Sequence, residues 1–193
     1  DFIRNYQCLS NEINIKGNFS ALEYLKLLIH HGLINDAKIF SNKLRFIDNN
    51  LAEHFYIFRE ITNFCSKYIT ENTNTTTKDT IFIVLPIWNE PYLSVWEKGG
   101  LESFLDPEAR VFFENRQVEF HIFTFSSSLE RLRKMPGMRK LADLARLQWF
   151  DLDHVRAWKG YRNFLAMNIA QWTTMTLAKM RGAGLILIFA DML

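Results

Sequence analysis

The chain has 193 residues, 48% of them apolar and 15% aromatic, and a formal net charge of +2. That length suits one ordinary domain or a small domain joined to a partial one, and the apolar content excludes wholesale disorder. So small a charge gives no electrostatic ground for nucleic acid or an anionic membrane surface, and nothing about partners follows from it; nucleic acid is not expected as one.

The N-terminus opens at Asp1 on a polar stretch, without the basic run leading into an apolar one that marks a secretory signal. The longest apolar segment, Leu185 to Ala190, is far short of the roughly 20 residues a spanning helix needs. No integral membrane segment is expected, and a cytoplasmic location is the default. The missing initiator Met suggests a piece of a longer chain. Cys8 and Cys65 lie far apart in helix-like contexts. They read as buried or incidental thiols suited to a reducing compartment, with a disulfide as the alternative.

Residues 1–70 read as a small helical region. Leu22, Leu25, Leu28 and Ile29 recur at helical spacing, with Ser20 as a cap and Glu23 three residues on. Gly32 interrupts, Ala37, Phe40, Leu44 and Ile47 resume the pattern, and Leu51 to Tyr68 gives a third helix. Leu28, Gly32, Ala37 and Phe40 loosely resemble one tetratricopeptide-type hairpin, but a plain helical bundle is the preferred reading, since any helical hairpin needs small residues at its crossing. Residues 71–78, Asn- and Thr-rich, form a linker with nothing to bury. The triplet Asn74-Thr75-Thr76 matches a glycosylation sequon, which carries little weight without a secretion signal.

From 79 to 193 strands alternate with helices. Thr80 to Ile87, Val118 to Phe125, Leu147 to Leu152 and Gly184 to Ala190 are short apolar runs, the last the most apolar. Helices are expected after Glu90, between Leu129 and Arg146, and from Trp158 to Arg181. Such alternation predicts an α/β domain on a Rossmann-like parallel sheet, with ligands gathering at the carboxyl ends of its strands. Those ends carry Pro86 to Pro91, Ser126 to Ser128, Asp151 to His154, and Asp191.

Here the chain resembles the family-2-like glycosyltransferases of GT-A fold. The match lies in Ile83-Val84-Leu85-Pro86-Ile87-Trp88-Asn89-Glu90, an apolar strand followed by Pro-x-x-Asn-Glu, and in the apolar strand Ile186 to Ala190 closing on Asp191. The resemblance covers about residues 80 to 193, more in the order of elements than in identities. It implies a GT-A-type domain, incomplete at its C-terminus, that binds a nucleoside-diphosphate sugar. By the resemblance, Pro86, Trp88, Asn89, Glu90 and Ser126 line the nucleotide, Arg162 meets a phosphate, and Asp191 holds a divalent cation, Mn²⁺ or Mg²⁺. The cation would neutralise the diphosphate leaving group. The chain departs from the family where the usual Asp-x-Asp is reduced to Ala190-Asp191-Met192, and where serines replace the acid after the second strand.

Each of these residues also has a structural reading. Asn89-Glu90 can cap the following helix, Asp191 can cap a later one, and Ser126 to Ser128 suits a cap. The literal Asp-x-Asp at Asp151 and Asp153 reads first as a turn into a helix, with a metal pair as the alternative. Adjacent His30 and His31 and remote His54 show no zinc spacing. Arg131, Arg133, Lys134, Arg139 and Lys140 read as a solvated face or a contact for an anionic acceptor. The base that deprotonates an acceptor is not found, so activity is expected of a longer chain. The acceptor, whether glycan, lipid or protein, is not specified. The competing readings are a non-catalytic interaction module with a degenerate nucleotide-binding domain, and another nucleotide-using enzyme such as a nucleotidyltransferase.

Overall fold

The computed structural model describes residues 18–43, 52–72, 79–155 and 162–188. The chain divides into two compact units, Asp1–Glu71 and Asn72–Leu193.

The first unit contains helices α1 (Asn18–His30), α2 (Ile34–Lys43) and α3 (Ala52–Glu71). Helix α1 ends where Gly32 takes φ 72°. Leu33 N–H then returns to Leu28 C=O (2.9 Å) and Gly32 N–H to Ile29 C=O (3.0 Å), the paired bonds of a Schellman turn that only glycine enters without strain. The turn folds α2 back, so that Leu25, Leu28 and Ala37 are fully buried and Tyr24 meets Phe40 edge-on at 4.8 Å. On α3, Ile61 and Cys65 fall on the buried side at helical spacing. Ser20 lies inside α1, which begins at Asn18, so it is not the cap expected. Leu44, Ile47 and Leu51, and the residues 73–78 of the expected linker, lie outside the described residues.

The second unit is an α/β domain on a four-stranded, all-parallel sheet, β1 (Thr80–Pro86), β2 (Gln117–Thr124), β3 (Arg146–Asp151) and β4 (Gly184–Leu187), in the order β3-β2-β1-β4. Between β1 and β2 run α4 (Glu90–Val95), a π-turn (Trp96–Gly100), α5 (Leu101–Leu105), a 3₁₀ turn (Pro107–Ala109) and α6 (Arg110–Glu114). Helices α7 (Ser126–Lys134) and α8 (Pro136–Leu144) lead to β3, and α9 (Arg162–Arg181) leads to β4. Strands β1 and β2 sit in the middle and are buried on both faces, which explains their largely apolar sequences, β-branched in β1 and interrupted in β2 by Glu119 and His121. On one face Ile83, Leu85, Phe120 and Ile122 pack with Leu93, Trp96, Leu132 and Leu141. Trp96 donates its indole N–H to the Met138 sulfur at 3.4 Å. Helix α9 lies along β1 and reaches β2 through Thr174, burying Leu165, Ala166, Ile169, Ala170, Thr173 and Leu177 on one stripe.

Two expectations for this unit are corrected. Helices α5 and α6 had not been anticipated, because one-turn helices are too short to show a 3.6-residue period. The most apolar run, Gly184 to Ala190, had been read as the best strand, yet β4 is a sheet edge with Ile186 and Leu187 exposed. Among the described residues it pairs with β1 alone. Burial follows position in the sheet order, which hydropathy does not encode.

Candidate functional site

Strand order fixes where a ligand can enter. From β1 the chain proceeds outward through β2 to β3, then crosses back to place β4 on the other side of β1. That reversal makes a switch point at the carboxyl ends of β1 and β4, the place where open parallel sheets hold their ligands. The β1 loop begins at Ile87, whose N–H donates to Phe123 C=O (2.9 Å). The β4 exit begins at Ile188, whose N–H donates to Val84 C=O (3.2 Å). The loop carrying Asn89 and the chain leading toward Asp191 therefore leave neighbouring strands. Asp191 itself lies outside the described residues.

The β1 loop has an unusual backbone. Asn89 takes φ 68° and ψ 145°, a combination close to the one that essentially only glycine occupies without strain. Its N–H donates to the Ser128 hydroxyl (3.3 Å) and its C=O accepts from Leu93 N–H (3.1 Å). The side chain is exposed and makes no capping hydrogen bond to α4, although asparagine at that position ordinarily caps. The backbone is thus held from both sides, and the amide is left facing solvent.

The other expected nucleotide residues have more structural surroundings. Pro86 is buried at the end of β1, opposite Phe123. Trp88 is buried with its ring edge-on to Phe125 at 5.3 Å, so it supports the loop from beneath and offers no open face for a base. Glu90 stands in the first turn of α4, where its charge suits the helix dipole. Its carboxylate pairs with Arg131 of α7, which also reaches Glu97 (3.3 Å). Ser126 has its N–H bound by Asp153 Oδ1 (3.1 Å) and its side chain exposed. Arg162 opens α9; its side chain lies outside the described residues.

The Asp151/Asp153 pair resolves in favour of the turn. Asp153 N–H donates to Asp151 Oδ1 (2.8 Å), Leu152 N–H to Thr124 C=O (2.9 Å), and Asp153 caps α7. The two carboxylates thus bind backbone donors rather than converging on a point. Among the described residues no cluster of three or more His, Cys, Asp or Glu side chains could hold a metal. At the same sheet edge the Thr124 hydroxyl is buried without a hydrogen-bond partner among the described residues.

Deeper in the sheet lies a polar chain that the sequence reading missed. Glu119 and His121 are both buried on β2, with His121 Nε2 3.1 Å from Glu119 Oε1 and Nδ1 3.3 Å from the Thr174 hydroxyl. Arg146 reaches Glu119 Oε2 at 3.4 Å. Burial holds the His121 pKa below its ordinary value and outweighs the hydrogen bond and charge of Glu119, which act the other way; Arg146 lowers it further. The signal was present in Val-Glu-Phe-His-Ile-Phe: two ionisable residues two apart in a strand share one face.

The fold and its switch point define a Rossmann-like α/β protein with four parallel strands among the described residues. No protein-family model, curated protein or solved structure matches the chain. No described helix is long and apolar enough to cross a membrane.

Proposed function

We propose that the switch point at the ends of β1 and β4 binds a nucleoside-diphosphate sugar, as the donor half of a glycosyltransferase. The observation that carries this reading is Asn89, a strained residue with its side-chain amide left exposed at the switch point. Strained backbone persists where the surroundings over-determine it, and such positions cluster at ligand clamps. An amide there can both donate to and accept from a base edge or ribose hydroxyl. Glu90 and Ser126 shape the rim and Trp88 supports it from below. A divalent cation, Mn²⁺ or Mg²⁺, would be held by Asp191 together with diphosphate oxygens, because the described residues offer no three-ligand set of their own. Such a cation supplies Lewis-acid neutralisation of the departing diphosphate. Calorimetric titration of the full chain with UDP and GDP, with and without Mn²⁺, is expected to show saturable binding of one of them. Asn89→Ala should weaken it at least tenfold, the loss of about 1.4 kcal/mol of contact. Absence of binding by a folded sample overturns the reading.

A second reading has its own support. Glu90, Asp151 and Asp153 are committed to ion pairs, turns and caps, as in a degenerate domain retained as a non-catalytic interaction module. Asp191→Ala in the full-length protein separates the two. Sugar transfer lost without unfolding excludes the module, and unchanged biological activity supports it.

A further inference from the structure

The Arg146–Glu119–His121–Thr174 chain links three elements, β3, β2 and α9, and its middle members are buried in the sheet. The ring of His121 is fully buried, with Phe82 of β1 at 4.4 Å and Phe150 of β3 at 5.4 Å between centroids. Its hydrogen-bond roles follow from its neighbours. A carboxylate only accepts, so Nε2 carries the proton donated to Glu119 Oε1. Nδ1 then offers a lone pair, and the Thr174 hydroxyl of α9 donates to it. The other oxygen of Glu119 takes the guanidinium of Arg146, which is half in solvent.

We propose that His121 is a proton-operated latch that fastens helix α9, and with it β4, to the centre of the sheet, closed when the ring is neutral and released when the ring gains a second proton. The second proton would go to Nδ1, the atom that now accepts from Thr174, so the fastening bond to α9 must break or reverse. Charge acts in the same direction. Among the described residues around the ring, β1 presents Phe82, β3 presents Phe150 and Arg146, and α9 presents Thr174, with Glu119 as the acid. An imidazolium would leave a single carboxylate between two cations in a buried place, an arrangement that low polarity penalises. Release travels to the sheet edge through a short connection. Helix α9 ends in a Schellman turn at Gly182 (φ 65°), with Ala183 N–H on Ala178 C=O (2.9 Å), and β4 begins at Gly184. A displaced α9 therefore loosens β4, one side of the switch point. The latch stands independently of any ligand; only its consequence for the switch point rests on the donor reading.

The sign is that of a histidine whose folded pKa is lowered. The closed state is fully favoured above the ordinary value of about 6.5 and loses ground as pH falls below it. One proton then raises the opening constant by up to about tenfold between pH 7.5 and 5.5. Amide exchange of the full chain, corrected for intrinsic rates, is expected to show that loss of protection at Thr173–Leu177 and Leu185–Leu187. The β2–β3 amides should keep theirs. In His121→Gln the protection of α9 should be the same at both pH values. Nitrogen NMR of the wild-type ring needs no variant, and should find a neutral Nε2–H imidazole at about pH 6, below the ordinary histidine value of about 6.5. A ring already doubly protonated at that pH, or α9 protection that does not change with pH, overturns the latch. Equal pH dependence in His121→Gln and wild type does so as well.

Discussion

Replacing Asn89 with glycine separates strain from recognition. Non-glycine residues in sparsely populated backbone regions cost about 1–3 kcal/mol each, and Asn89, at φ 68° and ψ 145°, is the one non-glycine residue at positive φ among those described. Glycine removes that strain but restores about 0.4–1 kcal/mol of unfolded-chain freedom that any side chain would have restricted. The net expectation is a gain of about 1 kcal/mol, or roughly 2–4 °C in melting temperature for a chain of this size. The Ser128 contact survives, because it uses the backbone N–H of residue 89. Asn89→Ala keeps the strain and loses the amide, so it should gain no stability. Both variants should lose nucleotide affinity together. Thermal melts of wild type, Asn89→Gly and Asn89→Ala, run beside nucleotide titrations, test this. A glycine variant less stable than wild type would refute the claim of stored strain.

Three further outcomes follow from the same geometry. Asp153→Ala should destabilise the protein by about 1 kcal/mol through loss of the α7 cap, whereas Asp153→Asn, which keeps a capping oxygen, should lose only part of that in a urea titration. Glu90→Gln should cost less than about 1 kcal/mol, because its pair with Arg131 is solvent-screened; a larger loss by denaturant melt would give Glu90 a structural role beyond that pair. Burial pushes the Cys65 thiol far up from its usual value, so in Cys8→Ser a thiol reagent should react at Cys65 only after unfolding; prompt labelling of the folded protein would contradict its burial.

The alternation of buried strands and long helices was legible because central parallel strands must be apolar on both faces. Thr80–Pro86 and Gln117–Thr124 announce themselves on that ground. The order of the strands was not legible, since it depends on which crossover turns back. For that reason the most apolar run proved to be an edge. Pro86 to Glu90 was correctly singled out as a loop at a strand's carboxyl end, but the sequence could not apportion it. Whether a carboxylate faces a ligand or an arginine depends on α7 lying beside α4, a tertiary fact that placed Arg131 against Glu90. The strain at Asn89 was equally hidden, because asparagine before a helix normally signals a cap. The Asp151/Asp153 turn was readable from local chemistry alone, because short acidic side chains bond their own backbone two residues on.

The most direct test of a donor site at the switch point is chemical-shift mapping of the labelled full chain with UDP, GDP and Mn²⁺. Saturable shifts should appear at Ile87–Glu90 and from Ile188 onward, on the two strands that flank the switch point, and vanish in Asn89→Ala. Shifts confined to the α8 surface or to α1–α3, or no shift with any nucleotide, would contradict it.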